Sequence, residues 1–513
     1  MRRRYATLLA LSIAACSSPT PFVPGSDAGP SGDDAGTPPS DAAAHDDASF
    51  APDAFVPGDA ATVDAATADA ATADAATADA ATADAAVTDA ATVDAATLGD
   101  AGPAFEQRGV LQVWLESTGT LTPIALLSDG ADWLLVASVD EWLPTSGSVS
   151  DAVVARLDGN YEIRWARRYA LGAFFRPARA RRDGDAVLVI GTIETGADSR
   201  GAVLEVAASD GSVRWASIVG DGREQLSDVL PLAGGAIALL GTSGEYALEV
   251  GVAERAFVTV LDASGEAAWS RSVYRTLAGG RGTVLASGPG TDLTLATEGV
   301  SGGLEVELLT IAATGAARRG WRVTGVVGTP VALESTAAGL ALVATSTITS
   351  GVSYARTTSY TELDAVSGTV VRGWASDGTT FGAAVGADEI LFAQQTNPSE
   401  AVVARLGADG TPRAGRVLDP AVPSGSGDGF RSVALDATAI RGVARIADDA
   451  WLVRSPLADA DACVLARWTT SPVASTPSVT AITARSVTIS PSVTHPAVSA
   501  SDLELVRTDE CPP

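Results

Sequence analysis

From residue 105 to about 470 the chain alternates short apolar runs with breaks carrying Gly, Asp and Ser, and the runs recur. One phrase reads Val153-Val154-Ala155-Arg156-Leu157-Asp158-Gly159, followed by Trp165. It returns at Val203 with Asp210, Gly211 and Trp215, and at Phe257 with Asp262, Gly265 and Trp269. Weaker copies start at Leu304 (Gly315, Trp321), Ser359 (Asp364, Gly368, Trp374), Val402 (Asp409, Gly410) and Cys463 (Val464 to Trp468). The five Trp of the first five copies lie 50, 54, 52 and 53 residues apart, and the sixth copy has none. A second apolar run precedes each of the first six copies, at 132–139, 185–191, 236–241, 293–297, 339–345 and 389–393. Short runs rich in Val, Leu and Ile between turn formers read as strands. No dozen residues carry a capped stripe of helical period, and the 52 Gly suit many tight turns. The unit is therefore about 52 residues holding four strands. A lone four-stranded sheet cannot bury both faces, whereas sheets stacked radially can. The expectation for 104–513 is an all-β propeller of about seven blades, with Gly109–Leu115 closing the ring against the last one. Tandem sandwiches would not need a Trp repeated in register.

The first hundred residues follow a different pattern. Arg2, Arg3 and Arg4 precede an apolar stretch, Tyr5 to Ala15, of eleven residues. That is far short of the roughly 20 needed to span a bilayer, and it suits a signal-peptide core at 1–15. From 16 to 103 the chain is mostly Ala, Asp, Thr, Pro, Gly and Ser, with Asp64, Asp69, Asp74, Asp79, Asp84, Asp89 and Asp94 spaced by five. A period of five gathers no apolar face, and the like charges repel, so this low-complexity segment reads as a disordered acidic tether. Fully stretched it would reach about 300 Å.

Composition narrows the function. Arg supplies all 34 basic charges against 62 acids, a net charge of −28. The 410 residues after the tether keep 31 Arg against 46 acids, which excludes a nucleic-acid binder relying on clustered cations. Two His and three Cys are too few for most metal and His-based chemistry. Beyond Cys16, only Cys463 and Cys511 remain. In an exported chain they are expected to form a disulfide pinning the C-terminal tail onto the last blade, worth roughly 3–4 kcal/mol.

Ile13-Ala14-Ala15-Cys16, with Ser17 and Ser18 behind it, resembles the lipobox of bacterial lipoproteins. The resemblance implies that Cys16 is acylated, with palmitate among its chains, and becomes the first mature residue. It also implies an outer-membrane lipoprotein, exposed at the cell surface or facing the periplasm. The Leu-Asp-x-x-Gly-x-x-x-Trp phrase resembles the blades of bacterial quinoprotein-like (PQQ-like) propellers, in which the Trp packs between blades. The whole layout, free of Lys, is similar to the tethered lipoproteins of myxobacteria-like soil bacteria.

Quinoprotein dehydrogenases hold a quinone and Ca²⁺ with acidic and Asn ligands, and many use adjacent cysteines. This chain has no adjacent Cys pair and only Asn160 and Asn397, so no cofactor is expected. Gly299-Val300-Ser301-Gly302-Gly303 matches a nucleophile motif but joins two strand-like runs without a nearby His, and reads as a hairpin loop. His45 falls in the tether, and His495 reads as a solvated tail residue. The most distinctive local chemistry is Arg176, Arg179, Arg181 and Arg182 behind Phe174 and Phe175. It reads as a solvated inter-strand loop, with contact to a carboxylate or an anionic sugar as the functional alternative. The expected function is non-catalytic binding of a protein or glycan through blade-top loops, the chain being held to the bilayer by acyl groups. A periplasmic envelope-assembly factor and a hydrolase using two loop carboxylates are the alternatives.

Overall fold

A computed structural model describes residues 109–509, apart from short segments of which 245–254, 419–428 and 457–464 are the longest. Cys16, the Asp repeat, Cys463 and Cys511 lie outside the described residues. The described chain is all-β with a single 3₁₀ turn, Ala233–Gly235, and its strands form seven blades. Blades 1 to 6 span 120–170, 174–219, 224–274, 280–324, 329–377 and 379–418, each an antiparallel sheet of four consecutive strands. Blade 7 takes three strands from 429–456, and its fourth is Gly109–Leu115, paired with Asp449–Pro456. The ring thus closes as expected, by joining the two ends of the chain in one sheet.

The second and third strands of a blade are covered on both faces by neighbouring blades, so they read as unbroken apolar runs rather than alternating ones. Ala186–Thr195 is buried at seven of its ten positions for this reason, including six in a row. Seven separate hydrophobic clusters result, one in each interface between adjacent blades.

The repeated phrase is the device that docks these blades. Its Asp caps the turn between third and fourth strands: the Asp210 and Asp262 carboxylates accept from the N–H and hydroxyl of Ser212 and Ser264. These bonds hold both carboxyls below the usual range. The turn Gly adopts positive φ, between 72° and 85° at Gly211, Gly265, Gly315, Gly368 and Gly410. Against each Gly lies the Trp of the preceding blade: Trp165, Trp215, Trp269, Trp321 and Trp374. Both the backbone angle and the absent side chain are needed there. In blades 4 and 5 the Trp sits two residues further along its strand, opposite Leu308 and Tyr360, on the same face and still reaching the next turn. Between blades 7 and 1 the Arg441 guanidinium lies 4.5 Å from the Trp133 ring and 5.4 Å from the Tyr161 ring.

Two expectations about the C-terminus need correction. The seventh copy placed at Cys463 is not a blade. Leu465–Arg467 instead pairs with the outer strand of blade 6. Nor does the tail stay on the last blade. It steps backwards round the ring: Val473–Ala474 on blade 5, Ser478–Ile482 on blade 4, Arg485–Thr488 on blade 3, Val493–Thr494 on blade 2 and Ser499–Asp502 on blade 1. It ends with Leu505–Asp509 on Gly109–Leu115 of blade 7. Every blade therefore gains a fifth strand from one continuous belt. Extended, residues 465–509 reach about 150 Å, the perimeter of a disc about 48 Å across. The belt covers edges that would otherwise offer free N–H and C=O groups. Its Leu503, Leu505, Val498, Val493, Ile482 and Val479 also pack on inter-blade clusters.

Candidate functional site: the central channel

The seven innermost strands surround a channel holding a cavity of about 1260 Å³. Each of these strands slips register once against its neighbour, at the same relative position. The extra residues form a ring around the bore: Ile124, Ala178, Ser227, Thr283, Val331, Phe381 and Arg431, all lining the cavity. A bulge re-aims the side chains beyond it.

The arginine cluster lies here, and this corrects its reading as a solvated loop. Phe174–Asp183 is the innermost strand of blade 2. It was hard to recognise because a strand facing a polar bore carries no apolar stripe. Past its bulge, Arg179 and Arg181 share a face. Arg179 crosses the bore, donating from Nη2 to the Val331 carbonyl of blade 5 at 2.8 Å. Arg181 donates to Asp228 of blade 3 at 3.1 Å and to the Leu285 carbonyl of blade 4 at 3.3 Å. Its Nη2 also stands 3.8 Å from Glu334 of blade 5. Asp228 is 0 % exposed. It accepts from the Val229 and Leu285 N–H groups at 2.9 and 2.8 Å, and Arg179 Nη1 is 3.4 Å away.

Enclosure in the bore raises the Glu334 pKa, while Arg181 pulls it down and Asp228 pushes it further up. Burial works against the charge on Arg181, yet Asp228 and Glu334 keep its guanidinium protonated. The charges of the four groups offset one another, with Asp228 fully enclosed among them. Arg182 turns to Asp129 of blade 1 at 2.7 Å. Arg176 is exposed, 3.4 Å from Glu194, with its guanidinium over Phe174.

The end of the channel where the innermost strands begin is different. Thr329, Thr345, Ser346 and Thr379 of blades 5 and 6 line it beside Phe381, which is 42 % exposed. The Arg431 guanidinium lies 5.4 Å from the Phe381 ring. Since successive strands alternate in direction, this end shares a face with the hairpins joining second and third strands. The chain enters the propeller at Gly109, the start of an outermost strand, and hence on the opposite face.

Of the nucleophile-like motif only Gly299 is described, at the end of the strand Leu293–Gly299, and residues 300–303 lie outside the described residues. Asn160 lies in a turn, its N–H bonded to Asp158. His495 is an exposed tail residue, as expected, but it is held: Nε2 meets Glu266 at 2.9 Å, and Nδ1 meets the Ala216 carbonyl and Ser217 hydroxyl at 3.1 Å. It clasps the belt to blades 2 and 3. Among the described residues, no three His, Cys, Asp or Glu side chains are grouped as metal ligands.

The fold and its bore define a seven-bladed β-propeller with a bridged channel. No protein-family model matches the chain, and no curated protein matches it. Among solved structures it is similar to a polysaccharide lyase, an ulvan lyase, at 10% identity over 67% of this chain and 96% of that one, with a TM-score of 0.43. It is also similar to the acylaminoacyl peptidase of Pyrococcus horikoshii (9% identity, 66% and 53% covered, TM-score 0.40). A subtype N10 neuraminidase-like protein of A/little yellow-shouldered bat/Guatemala/060/2010 shares 10% identity (67% and 97% covered, TM-score 0.34).

Proposed function

We propose that the protein is an outer-membrane lipoprotein, acylated at Cys16, whose propeller binds a glycan or a protein without transforming it. The observation that carries the binding reading is the channel: a large cavity whose strongest charges are already spent on one another across the bore. Such groups hold the walls in place and leave recognition to the remaining side chains. The chain joins the propeller on the face of tight turns. The opposite face, with its hydroxyl-lined mouth, is turned away from that point of attachment. A Cys463–Cys511 bridge would fasten the belt at the blades where it begins and ends.

Two measurements test the anchoring. Radiolabelled palmitate should enter the wild-type chain and not Cys16→Ser. Protease added to intact cells should release the propeller if it faces outward. Absence of label, or protection of the domain until the outer membrane is breached, would remove lipidation or surface exposure respectively.

A further inference from the structure

We propose that the mouth of the channel between blades 5, 6 and 7 is a subsite for a neutral sugar at the end of a glycan. This deepens the binding reading above and rests on it. Three features of the mouth point the same way.

Phe381 is the largest of the seven bulge residues that is apolar, and 42 % of it is exposed. A bulge projects it into the bore rather than into an inter-blade core. Arg431 covers one side of the ring at 5.4 Å and braces it. What remains free is a flat apolar platform, which is complementary to the C–H face of a pyranose.

Hydroxyls stand beside it. Ser346, only 4 % exposed, and Thr379 line the mouth, and their Oγ and Oγ1 atoms have no hydrogen-bond partner. Buried hydroxyls left without partners in a protein interior are costly and are normally satisfied by something. Thr329, exposed, adds a third. A Ser or Thr hydroxyl both donates and accepts, and so does a sugar hydroxyl, so this set suits a polyol. Thr345 is fixed by accepting the Thr380 N–H at 3.0 Å, which ties blade 5 to blade 6 and keeps the mouth rigid.

Charge decides between neutral and acidic sugars. The cations deeper in the bore, Arg179 and Arg181, already have Asp228 and Glu334 as partners. The guanidinium at the mouth, Arg431, is likewise engaged, against the Phe381 ring and with a further partner, and a uronate or sulfate there would also sit near Glu298, which lines the cavity. An uncharged sugar has no ionic hydration to lose.

The test uses full-length protein in detergent and a panel of soluble neutral oligosaccharides with matched uronic-acid-containing ones. Binding is read by saturation-transfer NMR, then by titration calorimetry on the neutral hits. The expected result is binding of one or more neutral members, weakened about tenfold or more by Phe381→Ala and by the double change Ser346→Ala with Thr379→Val. Phe381→Tyr should retain it. Val366→Ala, at an exposed turn on the opposite face, serves as the control and should bind as wild type does. Unchanged melting of each variant separates loss of binding from loss of fold. Neutral binding that survives Phe381→Ala overturns the subsite and leaves the broader binding reading standing. No neutral binding, or binding confined to the acidic members, overturns the proposal too, while the Cys16 labelling still reports separately on the anchor.

Discussion

Replacing Gly368 by Ala isolates the contact that locks one blade to the next. Two costs are expected. The turn holds φ at +72°, where an L residue costs about 1 kcal/mol. The new Cβ would also stand 2.2 Å from Nε1 and 2.4 Å from Cδ1 of Trp321, so the indole must leave its seat in the cluster between blades 4 and 5. Forced overpacking of that kind adds about 1–3 kcal/mol. Gly130→Ala supplies the reference, since φ is +66° there and nothing lies within 4 Å of the added carbon. The difference between the variants is then the contact with Trp321 alone. Urea unfolding followed by far-UV circular dichroism should place Gly368→Ala below Gly130→Ala by about 1–3 kcal/mol at equal slope. In a Trp321→Ala background the Gly368 change should fall back to the turn cost. Equal midpoints for the two glycine variants, or strict additivity with Trp321→Ala, would refute the argument that the repeated Gly exists to receive the Trp.

Three further outcomes follow from the same geometry. Asp228→Ala leaves Arg179 and Arg181 beside an empty site in the bore. Melting should register a loss of about 3–5 kcal/mol, and a near-neutral result would show that the cross-channel network holds nothing together. Ending the chain at residue 464 removes the belt from all seven blades. It should lower the melting temperature and produce concentration-dependent association in light scattering, because seven strand edges are uncovered; a monomer of unchanged stability would make the belt a passenger. At the His495 clasp, the Glu266 carboxylate and then the Ala216 carbonyl raise the imidazole pKa above 6.5. A raised histidine contributes fully below 6.5 and loses its contribution as pH climbs through the folded value. Amide exchange at Val493 and Thr494, corrected for intrinsic rates, should therefore be faster at pH 8 than at pH 6 in the wild type and flat in His495→Ala.

Much of the architecture is legible along the chain because side-chain periodicity reports which faces of a strand are covered. The second strands of six blades are unbroken apolar runs since both their faces are buried, and the Asp, Gly and Trp phrase marks each turn that docks on a neighbour. Gly109–Leu115 could be assigned to ring closure because it stands apolar and alone before the first copy. Periodicity does not report which edges pair. The outer strand of blade 7 arrives from more than 300 residues upstream, so no phrase with a Trp marks that blade, and Cys463 drew the count instead. The belt pairs through its backbone, which a Ser- and Thr-rich sequence does as well as an apolar one. A local sign was the recurrence of Thr476-Pro477-Ser478-Val479-Thr480 as Ser490-Pro491-Ser492-Val493-Thr494, fourteen residues and two blades apart. The innermost strand of blade 2 was hidden by its own arginines. Sequence could show that Arg179 and Arg181 stand close together, but only the closed ring brings Asp228, Val331 and Glu334 across the bore to meet them. Charges paired over such separations are set by where the blades end up, and no local pattern encodes that.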